Sequence, residues 1–198
     1  MFQLDRPDKA YAAYIFDCDG TLAHSMPLHL RAWNDGLEAA GAPFRLAREN
    51  FMSVAGMALR QTVDHWNETH SLQIDHDTAI NAKNRFFSAH MHEIEPLQPT
   101  VDYARELAAA AVPLAVASGG HREDVEATLR IIGVSDLFPV VVTADDVERA
   151  KPAPDLFLLA AERLGVKPED CCVLEDSELG IQAAEACGMG WIRIPVLL

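Results

Sequence analysis

Positive charge is scarce in this sequence. Its 198 residues contain 16 Lys and Arg against 30 Asp and Glu, a formal net charge of −14. Nucleic-acid-binding proteins need basic side chains to displace counterions from phosphates, and anionic membrane surfaces attract basic segments. The sequence therefore argues against both kinds of partner. A small phosphorylated molecule stays compatible with it, provided that a metal ion, a lysine or backbone amides supply local positive charge.

Cysteines and long apolar runs are also few. Of the four cysteines, Cys171 and Cys172 are adjacent and would point to opposite faces of a strand, which disfavours a disulfide between them. The longest apolar run, 107–117, contains Pro113 and is shorter than the roughly 20 residues of a membrane helix. We expect no signal peptide at the charged N-terminus, and a reduced, cytoplasmic protein.

Short apolar runs alternate with helical periodicity along much of the chain. The predicted strands are 13–17, 113–118, 139–143, 171–175 and 191–194. The predicted helices between the later strands are 122–132, 154–164 and 177–187. This alternation predicts an α/β fold in which helices cover both faces of a parallel sheet.

The stretch 24–96 departs from that alternation. It shows helical periodicity without a convincing strand; Leu30, Trp33 and Leu37, for example, share one helical face. Pro96 and Pro99 mark its end, because a proline disfavours helix in the residue before it. We expect a small helical cap domain at 24–96 and a core domain formed by 1–23 and 97–198. The two chain crossings between them form a natural hinge.

Chemically versatile side chains follow the predicted strands or lie in the loops between them. They are Asp17, Asp19, Ser118, Lys151, Glu175 and Asp176. Ligand sites in open α/β sheets lie at the carboxyl ends of strands, so we expect these side chains to meet. Each has an ordinary structural explanation as a helix cap or a solvated charge. Their combination favours one shared site.

Asp17-Cys-Asp-Gly-Thr21, Ser118, Lys151-Pro-Ala-Pro-Asp155 and Glu175-Asp176 resemble, in order and on the expected strands, the four motifs of the haloacid dehalogenase superfamily. The segments around His29 and Gly180 are similar to the β-phosphoglucomutase-like branch. The short C-terminus most resembles its fructose-1-phosphate phosphatase-type members. The resemblance implies a Rossmann-like sheet of strand order 3-2-1-4-5 with a small α-helical cap inserted after strand 1.

The same resemblance implies roles for these residues. Asp17 would be the nucleophile, Asp19 the general acid and base, and Ser118 and Lys151 the further catalytic residues that hold and neutralise the phosphate. The implied Mg²⁺ ligands are Asp17, Asp19 through its carbonyl, Glu175 and Asp176. The expected substrate-binding residues are Thr21, His29, Arg60, Lys83 and Gly119.

One segment departs from the branch pattern. Relatives commonly carry Asp-Ser/Thr-Glu-Pro where this chain has His24-Ser25-Met26-Pro27. Two acids are therefore missing at the predicted hinge, facing the predicted site. The motif residues are all kept, so we expect the core chemistry to be unchanged and the substrate to be affected.

Three functions are open at this point. The first is a Mg²⁺-dependent phosphoric monoester hydrolase acting as a monomer on a small phosphorylated metabolite, such as fructose 1-phosphate, through an aspartyl-phosphate. The second is a hexose-phosphate mutase of the β-phosphoglucomutase type, which shares the core residues and differs in how the cap excludes water. The third is a non-catalytic relative that binds a ligand or partner, which the complete set of motif residues disfavours.

Overall fold

The computed structural model describes residues 2–7 and 9–197. Its strands are β1 (Ala13–Phe16), β2 (Ala23–His24), β3 (Glu95–Pro96), β4 (Leu114–Ala117), β5 (Val140–Val142), β6 (Cys171–Glu175) and β7 (Gly190–Arg193). Its α-helices are α1 (Met26–Ala39), α2 (Arg48–Met52), α3 (Leu59–His70), α4 (His76–His90), α5 (Gln98–Ala109), α6 (Arg122–Ile131), α7 (Asp155–Leu164) and α8 (Glu178–Ala186).

A parallel five-stranded sheet in the order β5-β4-β1-β6-β7 forms the centre of the fold. Counted along the chain, these strands follow the order 3-2-1-4-5, so the predicted α/β fold is confirmed. Strands β1, β4 and β6 are buried along their whole length, as strands covered on both faces must be. The carboxyl ends of β1, β4 and β6 consequently lie side by side.

The alternation of side chains along β1 builds two separate cores. Tyr14 and Phe16 face one side of the sheet, where α5 and α6 pack. Ala13 and Ile15 face the other side, where α7 and α8 pack. Successive strand residues point to opposite faces, so one short apolar run supplies both layers.

Helices α1 to α4 form a third apolar cluster outside the sheet. Its centre is an edge-to-face pair of Trp33 and Trp66, whose ring centroids are 4.9 Å apart. Gly36 on α1 allows a close approach of α4, because a Cβ there would collide with the Ala79 carbonyl. At the two chain crossings, β2 pairs with β3 in a short antiparallel ribbon. Two residues per strand are too few to show a strand period, so this ribbon was not expected from the sequence.

Two further expectations concern cysteines and membranes. Cys18, Cys171, Cys172 and Cys187 are all free thiols, so the expectation that Cys171 and Cys172 do not pair is confirmed. Within the described residues, no helix combines the length and the apolar character that crossing a bilayer requires.

An ionic cluster beyond β5 leads to a stability prediction. Asp146 accepts hydrogen bonds from Thr143, Arg122 and Arg163. Burial acts to raise the pKa of Asp146, but these partners outweigh it and lower the pKa to about 2. We expect Asp146→Asn to reduce the free energy of unfolding by about 1–3 kcal/mol at pH 7. Because the folded pKa is depressed, this contribution should be complete above about pH 4 and disappear as the pH falls towards 2.

Urea titrations of wild type and Asp146→Asn at several pH values measure this difference. Asp136→Asn is the matched control, since Asp136 is exposed in the short turn before β5 and should show no such loss. A difference between wild type and Asp146→Asn that stays constant down to about pH 2 would contradict the assignment.

Candidate active site

Four polar side chains at the carboxyl ends of the sheet strands line one cavity together with a buried lysine. Asp17 follows β1, Ser118 follows β4, Glu175 ends β6, and Asp176 follows it. Lys151 reaches them from the loop between β5 and α7, and its Nζ donates to Asp17 Oδ1 at 2.7 Å and Glu175 Oε2 at 2.6 Å. All five residues are buried. The structure thus brings together the residues that the four motifs supply.

The charges of this cluster do not balance. Asp17, Glu175 and Asp176 oppose the single ammonium group of Lys151. Burial, followed by the Glu175 carboxylate, raises the pKa of Asp17 well above its ordinary value, although Lys151 opposes the rise. Burial and the two neighbouring carboxylates raise the pKa of Asp176 in the same way. Additional positive charge would therefore stabilise all three carboxylates in their ionised form.

The free oxygen atoms fit a divalent cation. Ligand atoms of Asp17, Glu175 and Asp176 lie within 4.8 Å of one another. Glu175 is already engaged by Lys151 and by Ser177, whereas Asp176 Oδ2 is buried and has no hydrogen-bond partner among the described residues. Hard oxygen ligands of this kind suit Mg²⁺, with water completing the coordination.

Gly20 keeps the space beside this cluster open. Its φ of +85° lies in the left-handed region, and a Cβ on it would meet the carboxylate of Asp176. A side chain at this position would be strained and would fill the space next to the free oxygen. The glycine of the first motif therefore leaves room for an ion beside Asp176.

Asp19 lies apart from the three-carboxylate cluster. Its Oδ1 accepts a hydrogen bond of 2.6 Å from Ser25 Oγ and lies 3.2 Å from His29 Nε2. Burial acts to raise the pKa of Asp19, but His29, Ser25 and Lys83 outweigh it and lower the pKa to about 2. These partners hold the Asp19 side chain in its ionised form; its acid–base role and a metal contact through its carbonyl stay predictions.

Helices α1 to α4 contribute one wall of the cavity that holds this cluster. His29 and Lys83 both line the cavity, and Phe87 lies under them: the His29 ring stacks on it at 4.2 Å, and Lys83 Nζ lies 4.9 Å from its centroid. Met26, where the resemblance led us to expect an acid, lines the same wall. Ser118 and Gly119 line the core side, and Ser118 Oγ accepts a hydrogen bond of 3.1 Å from the Gly120 amide.

Two of the expected substrate-binding residues lie elsewhere. Arg60 is exposed, forms an ion pair between α3 and α4 with Asp77, and does not line the cavity. Thr21, the last residue of the first motif, is fully buried, and its hydroxyl has no hydrogen-bond partner among the described residues. Neither side chain reaches the space above Asp17, because Arg60 points outwards and Thr21 points into the packed core.

A family model for haloacid dehalogenase-like hydrolases matches residues 11–188. The chain belongs to this family. It is 35% identical over 188 residues to the fructose-1-phosphate phosphatase YqaB of Escherichia coli, an alignment that covers 94% of this chain and 98% of that protein. These matches identify this haloacid dehalogenase-like hydrolase as a phosphoric monoester hydrolase.

Solved structures show the same architecture. CbbY from Rhodobacter sphaeroides, crystallised with xylulose 1,5-bisphosphate, superimposes with a TM-score of 0.80 at 30% identity, covering 91% of this chain and 84% of that one. A β-phosphoglucomutase from Clostridium difficile superimposes with a TM-score of 0.78 at 22% identity, covering 91% and 83%. At that identity the second likeness concerns the fold alone.

Several residues of this hydrolase site were missed by sequence reasoning. Ser25, which donates to Asp19, and Ser177, which donates to Glu175, are the nearest to the chemistry. Asp124 on α6 also lines the cavity. Ser25 lies in the segment that departs from the branch pattern, and Ser177 directly follows the last motif. Their positions in the sequence could therefore have marked both residues as candidates for the site. Asp124 carries no such signal.

Removal of the buried lysine leads to a prediction with two readouts. In Lys151→Met, Asp17 and Glu175 would stay buried without their shared cation. We expect the free energy of unfolding to fall by about 3–5 kcal/mol in metal-free buffer, because breaking a buried ion pair leaves uncompensated charge. We also expect Mg²⁺ to restore part of this stability and kcat to fall at least about 100-fold.

Chemical denaturation with EDTA and with Mg²⁺ measures both effects. Lys167→Met is the matched control, because Lys167 is exposed and its ammonium group contacts no buried carboxylate in the described chain. If Lys151→Met unfolded like wild type in EDTA, the ion pairs would not contribute to stability as stated.

Proposed function

We propose that this enzyme is a Mg²⁺-dependent phosphatase that hydrolyses a small sugar phosphate such as fructose 1-phosphate through an aspartyl-phosphate. One observation carries the proposal: the Asp17 carboxylate, paired with Lys151, shares a cavity with Asp19, and the cap forms its far wall. Nucleophile, neutralising cation and acid–base group are thus present around a space open to a phosphate ester. The similarity to a fructose-1-phosphate phosphatase supports the choice of substrate.

The first chemical step transfers the phosphoryl group to the protein. A carboxylate oxygen of Asp17 forms a bond to phosphorus while the bond from phosphorus to the sugar oxygen breaks. Asp19 donates a proton to that oxygen, so that an alcohol leaves. The dianionic phosphoryl group favours protonation of Asp19 before this step, because it brings negative charge close to the carboxylate.

The second step releases inorganic phosphate. A water molecule attacks phosphorus, Asp19 accepts its proton, and the bond between phosphorus and Asp17 breaks. Ser118 and the amides beside Gly119 hold the phosphoryl oxygens in both steps. Lys151 holds Asp17 in place and favours its ionised form.

Asp17 and Asp176 would hold the Mg²⁺ ion, and Glu175 would keep Lys151 and the following turn in place. The bound ion supplies the positive charge that an anionic nucleophile needs to approach an anionic phosphate. The division into a core at 1–23 and 97–198 and a cap at 24–96 belongs to the same proposal. Rotation about the β2–β3 ribbon would admit the substrate and then exclude bulk water.

Phosphate release from a panel of esters tests the proposal. We expect purified protein with Mg²⁺ to release phosphate from fructose 1-phosphate and p-nitrophenyl phosphate, and to lose this activity in EDTA. Ca²⁺ should inhibit, because it takes more ligands at longer distances and holds the reactants out of line. Conversion of β-glucose 1-phosphate to glucose 6-phosphate without phosphate release would favour the mutase. No turnover of any ester would favour a binding protein.

A further inference from the structure

A carboxylate that the proposed reaction does not use faces the substrate cavity. Asp124 lies in the first turn of α6, on the core side, and lines the same cavity as Asp17 and Lys83. It is partly buried, and within the described chain its carboxylate forms no direct hydrogen bond or ion pair. Burial raises the pKa of Asp124, and the positive charge of Lys83 opposes that rise.

Lys83 faces the same space from the cap. The residue is only 4% exposed, and among the described residues its ammonium group has no hydrogen-bonding partner; it lies over the ring of Phe87. Burial lowers the pKa of Lys83, whereas the charges of Asp19 and Asp124 act to raise it. An almost completely buried ammonium group is costly unless a ligand completes its hydrogen bonds.

The Lys83 ammonium group offers unused hydrogen-bond donors, and the Asp124 carboxylate offers unused acceptors. Lys83 is only a donor, and ionised Asp124 is only an acceptor. A hydroxyl group both donates and accepts, so a hydroxylated leaving group can satisfy both side chains at once. Cap and core would then be connected through the substrate.

The same pair leaves no spare ammonium group for a second phosphate. Among the described residues that line the cavity, the ammonium groups are those of Lys83 and Lys151. Lys151 is paired with Asp17 and Glu175, and Lys83 lies in the field of two carboxylates, Asp19 and Asp124. A second phosphate at this end would be placed beside like charge.

We propose that Asp124 is a specificity residue: with Lys83 it binds a hydroxyl of the leaving group, and its charge excludes sugar phosphates that carry a second phosphate. The assignment rests on the proposed function and narrows its substrate class to the monophosphates of hydroxylated carbon chains. In this assignment the substrate hydroxyl is also the hydrogen-bonding partner of the buried Lys83.

The decisive measurement is the ratio of kcat/KM for fructose 1,6-bisphosphate to that for fructose 1-phosphate. Wild type should favour the monophosphate at least about tenfold, and Asp124→Asn, which keeps the shape and removes the charge, should raise the ratio about tenfold. Glu123→Gln is the matched control, because Glu123 is exposed on the same helical turn and the same charge is removed. It should leave the ratio within about twofold.

A second variant tests the hydroxyl contact. Asp124→Leu should lower kcat/KM for fructose 1-phosphate about 10–100-fold, but that for p-nitrophenyl phosphate, which has no hydroxyl, less than about threefold. Equal losses on both esters would overturn the assignment, and so would an unchanged ratio in Asp124→Asn while fructose 1-phosphate is still hydrolysed. Wild-type enzyme that hydrolyses p-nitrophenyl phosphate but neither sugar phosphate would overturn the proposed substrate, and this assignment with it.

Discussion

Asp17→Asn is expected to lower kcat by about four orders of magnitude or more, on every phosphate ester, while the protein stays folded. The amide has almost the same shape as the carboxylate but cannot attack phosphorus. Lys151 keeps its second partner, Glu175, so no buried cation is left alone. The change removes one of three crowded carboxylates, which should relieve repulsion within the cluster.

Steady-state rates, thermal unfolding and rapid-quench labelling test this expectation together. Wild type quenched in acid during turnover should carry a phosphoryl group on the peptide that contains Asp17, and the variant should carry none. Asp35→Asn, on the exposed face of α1, is the matched control and should behave like wild type. Near-wild-type hydrolysis by Asp17→Asn would contradict the aspartyl-phosphate mechanism.

Much of the sheet was predictable from local sequence signals. The strand 13–17 was recognisable because a short run of Ala, Tyr, Ile and Phe that ends in an acid is typical of a buried strand. Asp17 and Asp176 could then be placed together, because parallel strands end at the same edge. The order of the strands came from the resemblance, since local patterns do not fix which strands are neighbours.

The wall of the cavity formed by the cap helices was less predictable. It depends on which face of each helix is turned towards the core, and local sequence patterns do not determine this. Both Lys83 and Arg60 are basic residues on predicted cap helices, and the sequence favoured Lys83 as the substrate contact without excluding Arg60. In the structure α4 packs against α1 and turns Lys83 into the cavity, whereas Arg60 points outwards to Asp77. Asp124 was missed because an acid in the first turn of a helix is commonly a favourable partner of the helix dipole.

The identity of the acid–base group gives the second large expected effect. Asp19→Asn should lower kcat on fructose 1-phosphate by about 10²–10⁴-fold, because the sugar oxygen leaves slowly without a proton. Asparagine can still accept the hydrogen bond from Ser25, so the loop should keep its conformation. Substrate and metal binding should both be retained.

The two chemical steps of this variant should separate on p-nitrophenyl phosphate. p-Nitrophenolate leaves without a proton, so the first step should be much less affected than on a sugar phosphate. The second step still lacks its base, and phosphorylated Asp17 should accumulate. We expect a burst of p-nitrophenol equal to the enzyme concentration, followed by slow turnover, in stopped-flow measurements.

Ser25→Ala is the control for this experiment, because it removes the hydrogen bond to Asp19 and leaves the carboxylate in place. It should lower kcat on fructose 1-phosphate by only about 3–10-fold and show no burst, since the loss of one positioning hydrogen bond affects both steps modestly. Full activity of Asp19→Asn on fructose 1-phosphate would assign the proton transfer to another group. Equal losses on both esters without a burst would mean that Asp19 positions the phosphate and does not transfer the proton.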